Sequence, residues 1–335
     1  MSERYNEQQY QERKKYNLEN EVDYPNINAN SWYTANNEEN PLVAVSVCRS
    51  GPSRENLAGN MGKGYGDPNR NKEDWPKDAD RNVNNFLKSL NISPSDIITM
   101  YPQDVSDQDL IAIDVDAVSM DIDHVSCLDD RGDFIFTRNP EIVLGVKPAD
   151  CSSIICFGET DQGPILSLTH ISKNGAIAGY VDQMFHHLEI LGVKKKSLKI
   201  YFVGGAYKEN RPYTSKDNPR NTPNYENLLK DISQDSDGLY HYNIDLPGFI
   251  RWRFKKNKIS DNNIFEDTSD TARPDSGYSS HSRAVMSGGS EPESRDLVVA
   301  SMRTSCILSE KNTDDLVRKV LKNAHDLVER VLKNT

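Results

Sequence analysis

The sequence predicts a mixed α/β fold, because short apolar runs alternate along it with amphipathic segments. Five runs of strand length lie in the middle of the chain, separated by glycine, proline, asparagine and aspartate: residues 134–136, 142–146, 152–157, 165–169 and 198–203. Between the last two runs, apolar residues recur at steps of four and three, the spacing of one helix face: Ile177, Val181, Met184, Leu188 and Leu191. Strands and helices mixed in this way are typical of a layered domain.

Further elements are predicted before this region. Residues 42–48 and 97–100 have the apolar, β-branched character of strands. Between them, residues 80–90 place apolar side chains at helical spacing, and the helix is expected to end near Leu90. The loop between the first strand and this helix is long and rich in glycine, proline and asparagine, and loops of that length are often functional.

The organisation along the chain predicts one α/β domain over residues 41–305. Residues 1–40 are polar with few aliphatic side chains, so we expect a tail that is disordered or laid across the surface. Residues 207–240 are polar again and predict an insertion. Residues 306–335 predict an amphipathic helix that docks onto the body or meets a protein partner, since apolar residues recur at steps of four and three: Val317, Leu321, Ala324, Val328 and Val331.

Composition disfavours several classes of protein. The chain has 335 residues and a formal net charge of -11, which disfavours binding to nucleic acid or to an anionic membrane. Its five cysteines are odd in number and lack Cys-x-x-Cys spacing, which argues against a disulfide framework and a thiolate zinc finger. No run resembles a signal peptide or a membrane span. We therefore expect a cytoplasmic protein in a reducing compartment.

Cys151 and His170 are the residues that point to chemistry. If residues 152–157 and 165–169 form a hairpin in which Phe157 pairs with Pro164, Cys151 lies opposite His170, with Cβ atoms about 5 Å apart. That separation allows two side chains to share a proton or bind one metal, but a slip of one residue would separate them onto opposite faces. Asp150 adds a carboxylate beside the thiol. The alternative is a small buried thiol and a structural histidine.

An ordered series of motifs resembles the laccase-domain family, whose members are also named polyphenol oxidases or multicopper oxidoreductases. The family's Ala-Asp-Cys segment is matched by Ala149-Asp150-Cys151. The histidine of its following His-Ala-Gly-Trp-Arg-Gly segment is matched by His170, with Gly175 nearby. Shorter matches keep the family's order along the chain: Cys48-Arg49-Ser50-Gly51, Asn60-Met61-Gly62, Val203-Gly204-Gly205 and Ser282-Arg283.

This resemblance implies a layered mixed β-sheet core with flanking helices, the laccase-domain or cytotoxic-necrotizing-factor-like fold. It also implies one zinc ion held by a cysteine and two histidines, with Cys151 and His170 as two ligands and as catalytic residues. Arg49, Asn60 and Arg283 would contact phosphate or substrate. Members of the family are associated with phosphorolysis of purine nucleosides and deamination of adenosine, so a nucleoside and phosphate are the implied small-molecule partners.

The sequence departs from the family pattern in three motifs of the implied site, one of which has Asp267-Thr268 in place of a Cys-Thr pair. Val105 stands where the family has its first zinc-binding histidine, and valine has no donor atom. Asp104, His124 or His281 could supply a third ligand instead. In the histidine segment, Trp and Arg are replaced by Lys173 and Asn174.

Three functions remain open on this basis. The first is a zinc-dependent enzyme similar to purine nucleoside phosphorylases and adenosine deaminases. The second is a binding or scaffold protein derived from the family that has lost catalysis. The third is a metal-free hydrolase in which Cys151 is the nucleophile and His170 the base.

Overall fold

Two six-stranded β-sheets pack face to face, and helices cover the outer face of the second sheet. This computed structural model describes residues 30–33, 44–48, 75–89, 92–102, 109–117, 126–205, 212–222, 225–266, 270–273, 278–287 and 295–302. Within them, no helix is long and apolar enough to cross a membrane. The layered α/β arrangement confirms the predicted fold class.

The strands of the first sheet, in spatial order, are β1 (Asn30–Tyr33), β2 (Ala44–Cys48), β15 (Leu297–Ser301), β7 (Val143–Val146), β3 (Ile97–Tyr101) and β5 (Ser126–Arg131). The second sheet contains β14 (Ile264–Glu266), β10 (Lys199–Val203), β8 (Ser152–Thr160), β9 (Gly163–Ile171), β6 (Phe134–Thr137) and β4 (Ala112–Asp114). A third, smaller sheet contains β11 (Pro212–Ser215), β13 (Tyr240–Ile244) and β12 (Leu229–Gln234). Parallel and antiparallel pairs occur together in both large sheets.

The α-helices of the described residues are α1 (Trp75–Ser89), α2 (Lys173–Ala178), α3 (Tyr180–Ile190), α4 (Tyr225–Leu228), α5 (Leu246–Lys256) and α6 (His281–Met286). The single helix predicted around residues 177–191 is two helices, α2 and α3. The break falls at Gly179, whose φ of 83° closes α2 with a left-handed cap. Val181, Met184 and Leu188 are buried, so the predicted apolar face is confirmed beyond the break.

The second sheet lies between two apolar cores. Ile155 and Phe157 of β8 face the first sheet, whereas Ile154 and Cys156 face the helices. Because both faces of β8 and β9 are covered, these strands appear in the sequence as nearly continuous apolar runs. For this reason the central strands were predictable, and so were their approximate bounds.

Elements outside the centre differ from the sequence expectation. β1 lies within residues 1–40, where an aromatic-containing but polar segment pairs its backbone with β2. The strands of the third sheet lie between Pro212 and Ile244 and overlap the segment predicted as an insertion, which stays a prediction. β4, β5, β14 and β15 were not predicted. The predicted C-terminal helix over residues 306–335 lies outside the described residues.

Gly158 of β8 occupies a position where a side chain does not fit. A Cβ atom there would lie 2.4 Å from Cγ1 of Val193, and a branched valine has little freedom to move. We expect Gly158→Ala to lower the free energy of unfolding by about 1–3 kcal/mol, measured by urea denaturation.

The matched control is the double variant Gly158→Ala with Val193→Ala, in which the obstructing methyl groups are removed. Its unfolding free energy should be lowered by less than the sum of the two single substitutions. Additive effects would contradict the contact between these two positions.

Candidate functional site

The candidate site lies at one edge of the second sheet, where β6 and β8 begin and β9 ends. It is on the face of this sheet that packs against the first sheet. Ser153 pairs with His170, and Phe157 pairs with Leu166. The predicted pairing of Phe157 with Pro164 was therefore wrong by two residues, since the turn between Thr160 and Gly163 is tighter than expected. Side chains alternate along a strand with period two, so this shift leaves Cys151 and His170 on the same face.

Cys151 and His170 are in hydrogen-bonding contact through their side chains. Cys151 comes directly before β8 and is partly exposed, and its thiol is free of any disulfide. His170 is near the end of β9 and only 7% exposed. The thiol is thus the accessible member of a pair whose imidazole is buried.

Asp133 completes the arrangement from the neighbouring strand. Its carbonyl oxygen accepts a hydrogen bond from the backbone N–H of His170 at 2.8 Å. Its Oδ1 lies 2.8 Å from Nδ1 of the same imidazole, and the Asp133 side chain is only 2% exposed. Nδ1 is therefore engaged by Asp133, which leaves Nε2 for the thiol or for a ligand.

Asp133 was not predicted as a site residue, although the sequence contains a signal for it. Asp133 comes directly before the apolar run of β6, just as Cys151 comes directly before β8. Polar residues at the ends of buried strands are candidates for one shared site once the strand order is known. The order β8-β9-β6 came only from the structure.

The electrostatics of the pair favour a charged form. Burial acts to lower the pKa of His170, but the neighbouring Cys151 thiolate and the Asp133 carboxylate together raise that pKa to about 10. At neutral pH the imidazole therefore carries a proton, and its positive charge beside the Cys151 thiol favours the thiolate form. Cys156 gives the contrast, since burial raises the pKa of its thiol to about 12 and it remains a neutral thiol.

Arg283 and Asp150 have structural contacts in this region. Arg283 is buried, and its guanidinium donates hydrogen bonds to backbone carbonyl oxygens at 2.6 to 2.7 Å: those of Thr271, Arg273 and Tyr278. The Asp150 carboxylate is buried as well and accepts hydrogen bonds from neighbouring segments. Contact of Arg283 with phosphate or substrate stays a prediction.

Several predicted site residues lie outside the described residues: Arg49, Asn60, Asp104, Val105 and His124. Their roles stay predictions. His281 is described, and it is exposed at the start of α6. The structure thus brings together Cys151 and His170 and adds Asp133 to them.

The side chains of the site match a zinc site only in part. Cys151 and His170 have the donor atoms that zinc prefers, and a zinc-binding histidine usually engages its other ring nitrogen with a carboxylate, as His170 does with Asp133. However, the described part of the chain has no group of three or more histidine, cysteine, aspartate or glutamate side chains that could hold a metal ion. These residues therefore do not form a complete zinc site.

The third sheet borders this region. Nζ of Lys173, three residues after His170, lies 4.8 Å from the centre of the Tyr213 ring in β11. An ammonium group at this distance from an aromatic face makes a cation–π contact. Lys173, which stands where the family has tryptophan, thus contacts the third sheet.

Known structures share this fold. YfiH of Bacillus licheniformis is 16% identical with a TM-score of 0.54, covering 78% of this chain and 93% of the other. YlmD of Geobacillus stearothermophilus is 16% identical with a TM-score of 0.56, covering 78% and 92%. NMB0706 of Neisseria meningitidis is 14% identical with a TM-score of 0.54, covering 78% and 94%. At these identities the likeness shows the fold.

A sequence comparison gives the family. No curated protein matches the chain. The family described as multi-copper polyphenol oxidoreductase laccase matches residues 57–290, which is more than half of the sequence and includes β6, β8 and β9. With the motifs around Cys151 and His170 and the shared fold, this match shows that the chain belongs to the multi-copper polyphenol oxidoreductase laccase family.

Proposed function

We propose that the protein is a cysteine-dependent hydrolase that cleaves an amide or a related acyl bond. Cys151 is the nucleophile, His170 exchanges the proton, and Asp133 orients His170. The observation that supports this proposal is the chain of contacts from the Cys151 thiol through the imidazole to the buried Asp133 carboxylate. A nucleophile, a base and a group that orients the base are the parts that covalent acyl transfer requires.

The chemistry follows from the charged pair. The Cys151 thiolate attacks the carbonyl carbon of the substrate, and a carbon–sulfur bond forms while the carbonyl π electrons move to oxygen. The imidazolium of His170 then gives its proton to the leaving nitrogen as the carbon–nitrogen bond breaks. Water next attacks the thioester, its proton passes to His170, and the carboxylic acid leaves. The released sulfur again forms a thiolate beside an imidazolium.

Asp133 acts through His170 in this scheme. Its carboxylate fixes the ring orientation so that Nε2 faces Cys151, and its charge stabilises the imidazolium. Because both groups are buried, water screens this interaction weakly.

A zinc-dependent nucleoside phosphorylase or deaminase is the second candidate. Family membership favours it, and so does the Asp133–His170 contact, which is also typical of a metal-binding histidine. When bound, zinc would supply an acidic water or polarise a substrate oxygen, with Cys151 and His170 as ligands. It requires a further ligand beyond those that the described residues provide.

Reactivity of Cys151 tests the hydrolase directly. In wild-type protein, iodoacetamide should label Cys151 much faster than the buried Cys156, as measured by peptide mass spectrometry. His170→Ala should slow labelling of Cys151 about tenfold or more at pH 7, because an ordinary thiol is only a few per cent thiolate there.

The control for this substitution is His186→Ala, because His186 is an exposed histidine on α3. It should leave the labelling rate of Cys151 unchanged. Equal labelling of Cys151 and Cys156 would contradict the hydrolase and favour a protein that has lost catalysis.

The raised pKa of His170 predicts a distinctive pH dependence. Its imidazolium should persist until the pH approaches about 10, rather than titrating near the ordinary 6.5, as seen by NMR of the ring. Since its folded-state pKa is raised, the protonation of His170 contributes stability that is fully present below about pH 6.5 and is lost as the pH rises through about 10.

Removing the thiolate checks the cause of this shift. Cys151→Ala should lower the pKa of His170, and the difference in unfolding free energy between wild type and variant should shrink as the pH is raised toward 10. A ring that titrates at the same pH in both proteins would contradict the charged pair.

Metal content separates the two candidates. The hydrolase predicts substoichiometric zinc in protein purified without chelator, and unchanged Cys151 labelling after EDTA treatment. One zinc per chain, lost in Cys151→Ala together with turnover of inosine or adenosine, would instead establish the second candidate.

A further inference from the structure

The turn that precedes Cys151 has an unusual backbone conformation. Asp150 has a φ of 67°, and among the described residues only two others that are not glycine have positive φ, Asp231 and Lys258. The left-handed region is unfavourable for residues with a Cβ atom, although aspartate tolerates it better than most. Such a conformation persists only where the surroundings hold it in place.

The Asp150 carboxylate is held from two sides. Oγ1 of Thr271 donates a hydrogen bond to Oδ1 at 3.0 Å, and the backbone N–H of Ser282 donates to Oδ2 at 2.6 Å. Asp150 is only 1% exposed, so both contacts are shielded from water. Hydrogen bonds to a buried carboxylate are stronger than those between neutral groups.

The groups that hold Asp150 are themselves fixed. The backbone N–H of Thr271 donates to the carbonyl oxygen of Gly205 at 3.1 Å. Its carbonyl oxygen accepts from Arg283 at 2.7 Å, and the same guanidinium donates to Tyr278 at 2.6 Å. Arg283 thereby joins the segments before and after residues 274–277 and keeps Thr271 in reach of Asp150.

The other sides of the turn are anchored too. Oγ of Ser152 donates to the carbonyl oxygen of Gly204 at 3.2 Å. A Cβ atom at Gly205 would lie 2.6 Å from that hydroxyl oxygen, so the two segments pack at close range. Before the turn, the carbonyl oxygen of Pro148 accepts from the N–H of Asp296 at 3.0 Å. Cys151 therefore lies between two residues whose side chains are both engaged.

We propose that Asp150 is a positioning residue for Cys151, because its carboxylate holds the left-handed turn that directs the thiol toward His170. This inference rests on the proposed function, in which the reactivity of the thiol depends on its contact with His170. Asp150 acts through the backbone, and its two oxygens are committed to Thr271 and Ser282. In this role Asp150 sets the geometry of the nucleophile.

Substitutions at position 150 separate backbone freedom from the carboxylate contacts. Asp150→Gly accepts positive φ without cost but removes both hydrogen-bond acceptors, so the turn is no longer held. Labelling of Cys151 by iodoacetamide at pH 7 should slow about tenfold or more, since small displacements of reacting groups have large effects on rate.

Asp150→Asn should restore most of the rate. Asparagine also tolerates the left-handed region, its Oδ1 can accept from Ser282, and its amide can donate to the Thr271 hydroxyl, so the rate should stay within about threefold of wild type. Thr271→Val, which keeps the side-chain shape but removes one donor, should give an intermediate rate.

Asp231→Gly is the matched control. Asp231 also has a positive φ, 54°, and its carboxylate accepts from Asn243 at 3.1 Å, but it lies on the third sheet. Its substitution should leave Cys151 labelling unchanged. Cys156 serves as an internal control, because it is buried and becomes reactive only if the fold opens.

The outcomes separate this inference from the proposed function. Wild-type labelling in Asp150→Gly, an equally slow Asp150→Asn, or simultaneous labelling of Cys156 would each overturn the positioning role. A wild-type labelling rate in Asp150→Gly with slow labelling in His170→Ala would reject the positioning role and keep the hydrolase, whereas a normal rate in His170→Ala would reject the hydrolase and with it the inference that rests on it. If both are right, Asp150→Gly should add little in a His170→Ala background.

Discussion

The antiparallel pairing of β8 with β9 is the interaction on which the site depends. It brings Ser153 opposite His170 and leaves Cys151, two residues earlier, on the same face. The adjacent pairing of β9 with β6 continues the row to Asp133, which the backbone N–H of His170 contacts directly. Three polar side chains at the ends of three strands thus meet at one edge of the sheet, because these strands pair in register.

Stability alone does not explain this arrangement. Asp133 and His170 are both buried, and taking two charges out of water costs more free energy than an apolar pair of similar size would. The Asp150 turn adds an unfavourable backbone conformation directly beside them. Features that oppose stability and gather around one accessible thiol are expected of a site retained for chemistry or ligand binding.

Two cysteines close together in the sequence show how position in the sheet decides reactivity. Cys151 and Cys156 are five residues apart, so they point to opposite faces of the second sheet. Cys156 packs among apolar side chains beside Met184, where burial raises the pKa of its thiol. Cys151 lies partly exposed beside a protonated imidazole. The thiol of Cys156, buried in one core, is therefore inert. The thiol of Cys151, at the edge of the other core, is a candidate nucleophile.

The central strands and the shared face of Cys151 and His170 follow from local sequence patterns alone. Apolar runs and period-two alternation are local, so even a register wrong by two residues kept these side chains together. Only the tertiary structure decided that Asp133 engages His170 and that Arg283 binds backbone carbonyl oxygens. It also showed that Asp150 is held by residues more than a hundred positions later. Such contacts depend on strand order and on the packing of distant segments, which local periodicity does not encode.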